Sequence, residues 1–151
     1  MKTHLTPHQR REQNRQYLKS LLNRIPKSEQ QLQSKCAEML YFFYPNDWKR
    51  LVCVYNNSLR ANTSGFGQVP GASDMYWLNP GGEVLFIEFK FGKYNVSKSQ
   101  LEWQRLCIDL RHNYYICLNE FTFWQIIGFN QPNEADIEKA LDGFDKLVKK
   151  T

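Results

Sequence analysis

The chain has 151 residues, 42% hydrophobic and 15% aromatic, enough apolar material for one packed core and too much for global disorder. No apolar run approaches the ~18 residues that cross a bilayer. Met1-Lys2-Thr3-His4 leads into polar residues rather than the apolar stretch of a signal peptide, so an intracellular location without a membrane partner is expected. The net charge of +5 is lopsided: residues 1–28 hold seven Lys and Arg against Glu12 alone, whereas the other thirteen basic residues face fourteen acids. A basic segment on a near-neutral body suits a polyanion, because Lys and Arg displace counterions from phosphates. The plainer reading is a solvated basic helix.

The first element opens at Thr6-Pro7-His8-Gln9, with Thr as N-cap, Pro at the first helical position and Gln at the third. Leu18, Leu21, Leu22 and Ile25 follow at helical spacing, and Pro26 ends the helix. Ser28-Glu29-Gln30-Gln31 repeats the start signal and opens a second helix to about Phe43. At 100° per residue, Glu29 falls on the apolar stripe of Leu32, Cys36, Leu40 and Phe43; Gln33 flanks it and Glu38 faces the opposite way. A strand over Leu51–Tyr55 and a Gly/Asn/Ser-rich loop from Asn56 to Pro70 come next. Asp74–Leu78 and Val84–Lys90 read as a β-hairpin around Asn79-Pro80-Gly81-Gly82. Ser97-Lys98-Ser99-Gln100 is a third capping signature, opening a helix with Trp103, Leu106, Cys107 and Leu110 on one face. Tyr114–Leu118 reads as a short strand, residues 121–129 fit either periodicity, and a last helix after Asn133 turns Ile137, Ala140, Leu141, Phe144 and Val148 inward. Cys36, Cys53, Cys107 and Cys117 lack metal or disulfide spacing and read as buried thiols. The order predicts one α/β domain, with a mixed central sheet flanked by helices over residues 26–151, preceded by a basic helical arm over residues 1–25.

Within Val84–Lys90, alternation puts Val84, Phe86, Glu88 and Lys90 on one face and Leu85, Ile87 and Phe89 on the other. Both faces are apolar until Glu88, as in a strand covered on two sides. A carboxylate and an ammonium there are costly unless paired or holding a metal. Asp74 sits opposite Glu88 on the same face only if paired residue numbers sum to 162, which makes Leu78 the partner of Val84 and Asn79–Glu83 the loop. Two carboxylates side by side suit a hard cation, magnesium or manganese, and such an ion can activate water against a phosphodiester while Lys90 offsets growing charge.

Gly71-Ala72-Ser73-Asp74, thirteen residues, then Glu88-Phe89-Lys90 resembles the PD-(D/E)XK nuclease signature, and most of all its VRR-NUC branch. Glu29 with Leu32-Gln33, Asn56-Asn57, and Ser97-x-x-Gln100-x-x-Trp103 extend the likeness over roughly residues 28–118. The resemblance implies a restriction-endonuclease-like core and metal ligation by Asp74, Glu88 and the Phe89 carbonyl. It makes Lys90 the catalytic lysine, Glu29 an auxiliary acid and Gln100 an edge-of-site residue. Its expected activity is Mg2+-dependent hydrolysis of DNA, with Mn2+ as substitute, on nicked, flapped or branched substrates, and homodimers are common among its small members. Ser73 stands where the superfamily has proline.

Each residue also has a plainer explanation. Asp74 can start a strand after a turn, Glu88 and Lys90 can pair on a sheet edge, and Glu29 can serve the helix dipole. Gln100 can be only a cap, Trp103 only core, and Arg60 either a phosphate contact or a solvated side chain. His4, His8 and His112 show no ligand spacing. The rival functions are a catalytically silent nucleic-acid-binding module and an enzyme acting on another phosphate ester; for the latter the chain offers no nucleotide-binding loop.

Overall fold

Thr6, Ser28, Ser97 and Asn119 each place a side-chain oxygen over the first turn of a helix, and these caps set where the helices begin. The computed structural model describes residues 5–54 and 69–148. Its helices are α1 (Pro7–Asn23), α2 (Glu29–Phe43), α3 (Lys98–Asp109), α4 (Glu120–Ile127) and α5 (Ile137–Val148), the last entered through a 3-10 turn that Asn133 caps. Its strands are β1 (Leu51–Cys53), β2 (Met75–Leu78), β3 (Val84–Phe89) and β4 (Asn113–Cys117). The described residues fall into two compact units, one from both ends of the chain (up to Trp48 and from Asn130) and one from Lys49–Phe129.

The first unit holds α1, α2 and α5. Leu18, Ile137, Ala140 and Leu141 form its core, with Leu22, Phe42, Phe43 and Phe144 packed around them. The helix expected to be a basic arm is therefore a packed member of this unit. Two of its four basic side chains are paired: Arg11 with Glu138, Asp142 and Asp145 on α5, and Arg15 with Glu138 and Glu12. Acids at 138, 142 and 145 share one face of α5, which is why two arginines one turn apart on α1 meet them all. Arg10, Lys19 and Lys27 stay exposed.

Glu38 does not face open solvent as its helical angle suggested. It accepts the Tyr17 hydroxyl at 2.7 Å and pairs with Arg24 at 3.2 Å, because α2 buries a wider face than its apolar stripe. Part of that face is Lys35, which is buried and donates Nζ to the carbonyls of Leu22 (3.0 Å) and Arg24 (2.5 Å). An ammonium at the end of α1 answers carbonyls that the helix leaves without amide partners, and meets the negative end of its dipole.

The second unit is a mixed four-stranded sheet in the order β1-β2-β3-β4, antiparallel up to β3 and parallel from β3 to β4. The parallel pair is possible because α3 carries the chain from the end of β3 to the start of β4. Leu78 pairs with Val84 and Met75 with Ile87, the register in which residue numbers sum to 162. Gly81 and Gly82, at φ +88° and +87°, supply the left-handed backbone that closes the hairpin, and Asn79 N–H bonds Glu83 O at 2.8 Å.

Several expectations need correction here. Residues 121–129 contain α4, with Phe123, Trp124 and Ile127 buried. On α3 only Cys107 is fully buried; Leu106 and Leu110 are exposed, since the face turned to the sheet runs through Gln100, Trp103 and Cys107 instead. Cys53 is exposed on the edge strand, whereas the other three thiols are buried. Asn56-Asn57, Arg60 and His4 lie outside the described residues, as does the side chain of Val148. Among the described residues no helix is long and apolar enough to cross a membrane.

Candidate active site

Asp74 lies one residue before β2 and is bonded to the chain on both sides. Its carbonyl accepts from Val54 N–H at 2.8 Å, and its carboxylate Oδ2 accepts from Phe89 N–H at 2.7 Å. Since Met75 faces Ile87, the next pair outward sets Asp74 beside Glu88, with both side chains on the face that carries Tyr76 and Phe86. Asp74 is half-buried, while Glu88 and Lys90 are 2% and 6% exposed, so solvent reaches the pair of acids from the Asp74 side.

Glu88 Oε1 takes an ion pair from Lys90 Nζ at 3.0 Å and a hydrogen bond from Gln100 Nε2. Glu88 Oε2 is buried and receives no hydrogen bond among the described residues. Gln100 Oε1 in turn accepts from Lys90 Nζ at 3.1 Å and from Ser97 N–H at 3.0 Å. The amide has one consistent orientation, because an ammonium and a backbone N–H can only donate and a carboxylate can only accept. Gln100 is therefore both the third residue of a capping box and the link between Glu88 and Lys90.

Two contacts fix the Asp74 segment on α3. Gly71 adopts φ +78° and lies so close to the helix that a Cβ would fall 2.3 Å from Ser99 C and 2.6 Å from Gln100 N. Ser73, fully buried, receives the Trp103 indole N–H on Oγ at 2.9 Å. Trp103 also meets Phe86 edge-on at 5.9 Å, so its ring packs on the sheet while its N–H holds the loop.

Tyr114 was not foreseen in the site. It pairs with Phe86 on the parallel edge and so shares the face of Glu88. Burial first, then the Glu88 charge and more weakly that of Asp74, push its phenol well above the ordinary tyrosine range and keep it protonated. Its hydroxyl position was hidden because sequence alone does not reveal which strand lies next to β3. Glu29 is the first residue of α2 in the other unit, partly buried, at the turn where an acid favours the helix dipole. His8 and His112 are exposed, and His112 packs on Phe86 at 5.4 Å.

Among the described residues no three His, Cys, Asp or Glu side chains converge as a metal site. The oxygen donors at hand are two carboxylates and main chain. In extended backbone the N–H and C=O of one residue face the same edge; the Phe89 amide faces Asp74, whereas the Lys90 amide faces Cys117 O on β4 at 2.9 Å. An all-oxygen set of two acids and one carbonyl fits a hard divalent cation that keeps several waters. Comparison with family models, curated proteins and solved structures gives no match to this chain.

Proposed function

We propose that the chain is a divalent-metal-dependent nuclease that hydrolyses DNA phosphodiester bonds at Asp74, Glu88 and Lys90. The observation that supports this reading is the 162 register of β2 and β3, which, continued one residue past Met75 and Ile87, would set Asp74 beside Glu88, with Lys90 3.0 Å from Glu88. The residue set resembles the D…E-x-K pattern of PD-(D/E)XK nucleases, and with it goes the proposed restriction-endonuclease-like core.

Asp74, Glu88 and the Phe89 carbonyl would hold magnesium, with manganese as substitute, and the ion would supply Lewis-acid polarisation of a phosphodiester oxygen. The remaining steps belong to the chain. Water adds to phosphorus as one ester P–O bond breaks; the electron pair leaves on the sugar oxygen, which takes up through solvent the proton that the water gives up, so the products are a hydroxyl end and a phosphate monoester. Lys90 keeps its proton on Nζ and offers it to the phosphate oxygen on which charge grows. Gln100 holds Lys90 and Glu88 in register, and Tyr114 offers a neutral O–H donor on the same face. Glu29 is proposed as an auxiliary acid on the resemblance alone. One site cuts one strand, so a double-strand break would call for a second copy of the chain.

The test is incubation of supercoiled plasmid and of branched or flapped oligonucleotides with Mg2+, Mn2+ or EDTA. Nicking that needs the ion and disappears in Asp74→Asn and Glu88→Gln supports the reading. Tight binding with every substrate intact favours the silent binding module.

A further inference from the structure

Directly after Lys90 the chain runs Phe91-Gly92-Lys93-Tyr94-Asn95-Val96-Ser97-Lys98 before α3 takes over. From Lys90 to Leu101 there are three lysines and no acid; Lys90 pairs with Glu88 at 3.0 Å, and Lys98 lies 3.9 Å from Glu102 with both side chains largely in solvent. Phe91 and Tyr94 are 38% and 42% exposed, and Lys93 and Lys98 also face solvent. Gly92 turns the loop at φ +64°, with open space where a Cβ would lie. Two large rings left in water, interleaved with ammonium groups, begin one residue beyond the proposed catalytic lysine.

We infer that this loop binds an unpaired polynucleotide strand next to the site, with Phe91 and Tyr94 stacking on bases and Lys93 and Lys98 on the flanking phosphates. The chemistry selects that occupant. Exposed lysines attract any polyanion, and exposed aromatic rings beside them add stacking on the bases of a strand. A duplex keeps its base faces stacked on one another, and an acidic peptide offers no bases. The substrate class that follows is DNA with a single-stranded stretch, such as a flap, gap or frayed end, in preference to continuous duplex. This assignment rests on the phosphodiester reading of the neighbouring site, yet it is measured as binding and so stands or falls separately.

The experiment uses the full chain in EDTA, where no cutting occurs, and follows the anisotropy of a labelled thymidine strand of about 12 nucleotides, within the span of such grooves. The comparison ligands are an abasic strand of equal length and charge, a blunt duplex, and a uridine ribo-strand. The parent is expected to bind the thymidine strand at least tenfold more tightly than the abasic strand. Phe91→Ala with Tyr94→Ala should abolish that preference, while Phe91→Tyr with Tyr94→Phe keeps it. Equal binding of thymidine and abasic strands by the parent overturns the inference, as does a preference untouched by loss of both rings. Binding of the ribo-strand at matched strength supports stacking and extends it to RNA. Failure of metal-dependent nicking with this preference intact would remove the nuclease reading and leave the strand-binding loop.

Discussion

Trp103 donates its indole N–H to Ser73 Oγ over 2.9 Å, tying α3 to the residue immediately before Asp74. Gly71 makes the companion contact two residues earlier, against the backbone of Ser99 and Gln100. The segment that carries Asp74 and the helix that carries Gln100 are thus held together by one docking of loop on helix.

This docking predicts a split between stability and rate. Ser73→Ala leaves a buried N–H without its acceptor and should cost about 1–3 kcal/mol. It should also lower kcat about tenfold or more by loosening Asp74, with KM for DNA little changed. Ser73→Thr keeps the hydroxyl and should restore most of the rate. Gly71→Ala should be worse, because its left-handed backbone alone costs about 1–3 kcal/mol for a residue with a Cβ, before the clash with Ser99. Urea unfolding and steady-state kinetics on the three variants check this, and a Ser73→Ala enzyme with parental kcat would detach the contact from the site.

In the first unit, Lys35 is the buried charge to remove. Lys35→Met keeps the volume but strips the Leu22 and Arg24 carbonyls of their donor, and should lower unfolding free energy by about 1.5–3 kcal/mol. Denaturant midpoints measure it. An unchanged midpoint would mean that water replaces the ammonium at no cost.

Acid should loosen the contact of α1 with α5. Hydrogen bonds from Arg15 first, and then Arg11, hold the Glu138 carboxyl below the ordinary carboxylate range. A depressed folded-state pKa gives stability that is complete above the unfolded value and is lost as pH falls through the folded one. Glu138→Gln should therefore lower Tm at pH 7, and the penalty should fade as pH falls through the parent carboxyl's depressed folded-state value. Salt should shrink the difference, because these side chains are partly exposed. A Tm penalty independent of pH would assign the effect to packing.

Thiol labelling reads the sheet edge. Cys53 is exposed, whereas Cys36, Cys107 and Cys117 are buried, and burial pushes the Cys117 thiol up to about 12. A disulfide reagent should modify one thiol in the native protein and four in denaturant. Burial also raises the Cys53 pKa, so the native reaction should be slow at neutral pH and quicken as pH rises.

The hairpin was legible from its Asn79-Pro80-Gly81-Gly82 turn, but the turn did not fix the register: a strict four-residue loop would pair Leu78 with Glu83. Only the demand that Asp74 and Glu88 share a face selected the 162 register in which Leu78 pairs with Val84. The caps at Thr6, Ser28, Ser97 and Asn133 were legible because each is a local hydrogen bond written within four residues. What failed was non-local. The α1–α5 ion pairs join residues 123 to 134 positions apart, so the basic start looked like a free arm. Leu106 and Leu110 share a helical stripe with Cys107, but the stripe cannot say which of its edges the sheet covers. Phe121–Ile127 is apolar enough to satisfy both periodicities, and Asn119 as a cap was the signal that could have decided for a helix.

The most direct test of the shared-cation claim is Mn2+ binding to the full chain, followed by electron paramagnetic resonance without DNA. The account predicts one manganese site per chain, competed by Mg2+, and lost in folded Asp74→Asn and in folded Glu88→Gln. Manganese held equally well by both variants, or by none of the three proteins, would contradict it.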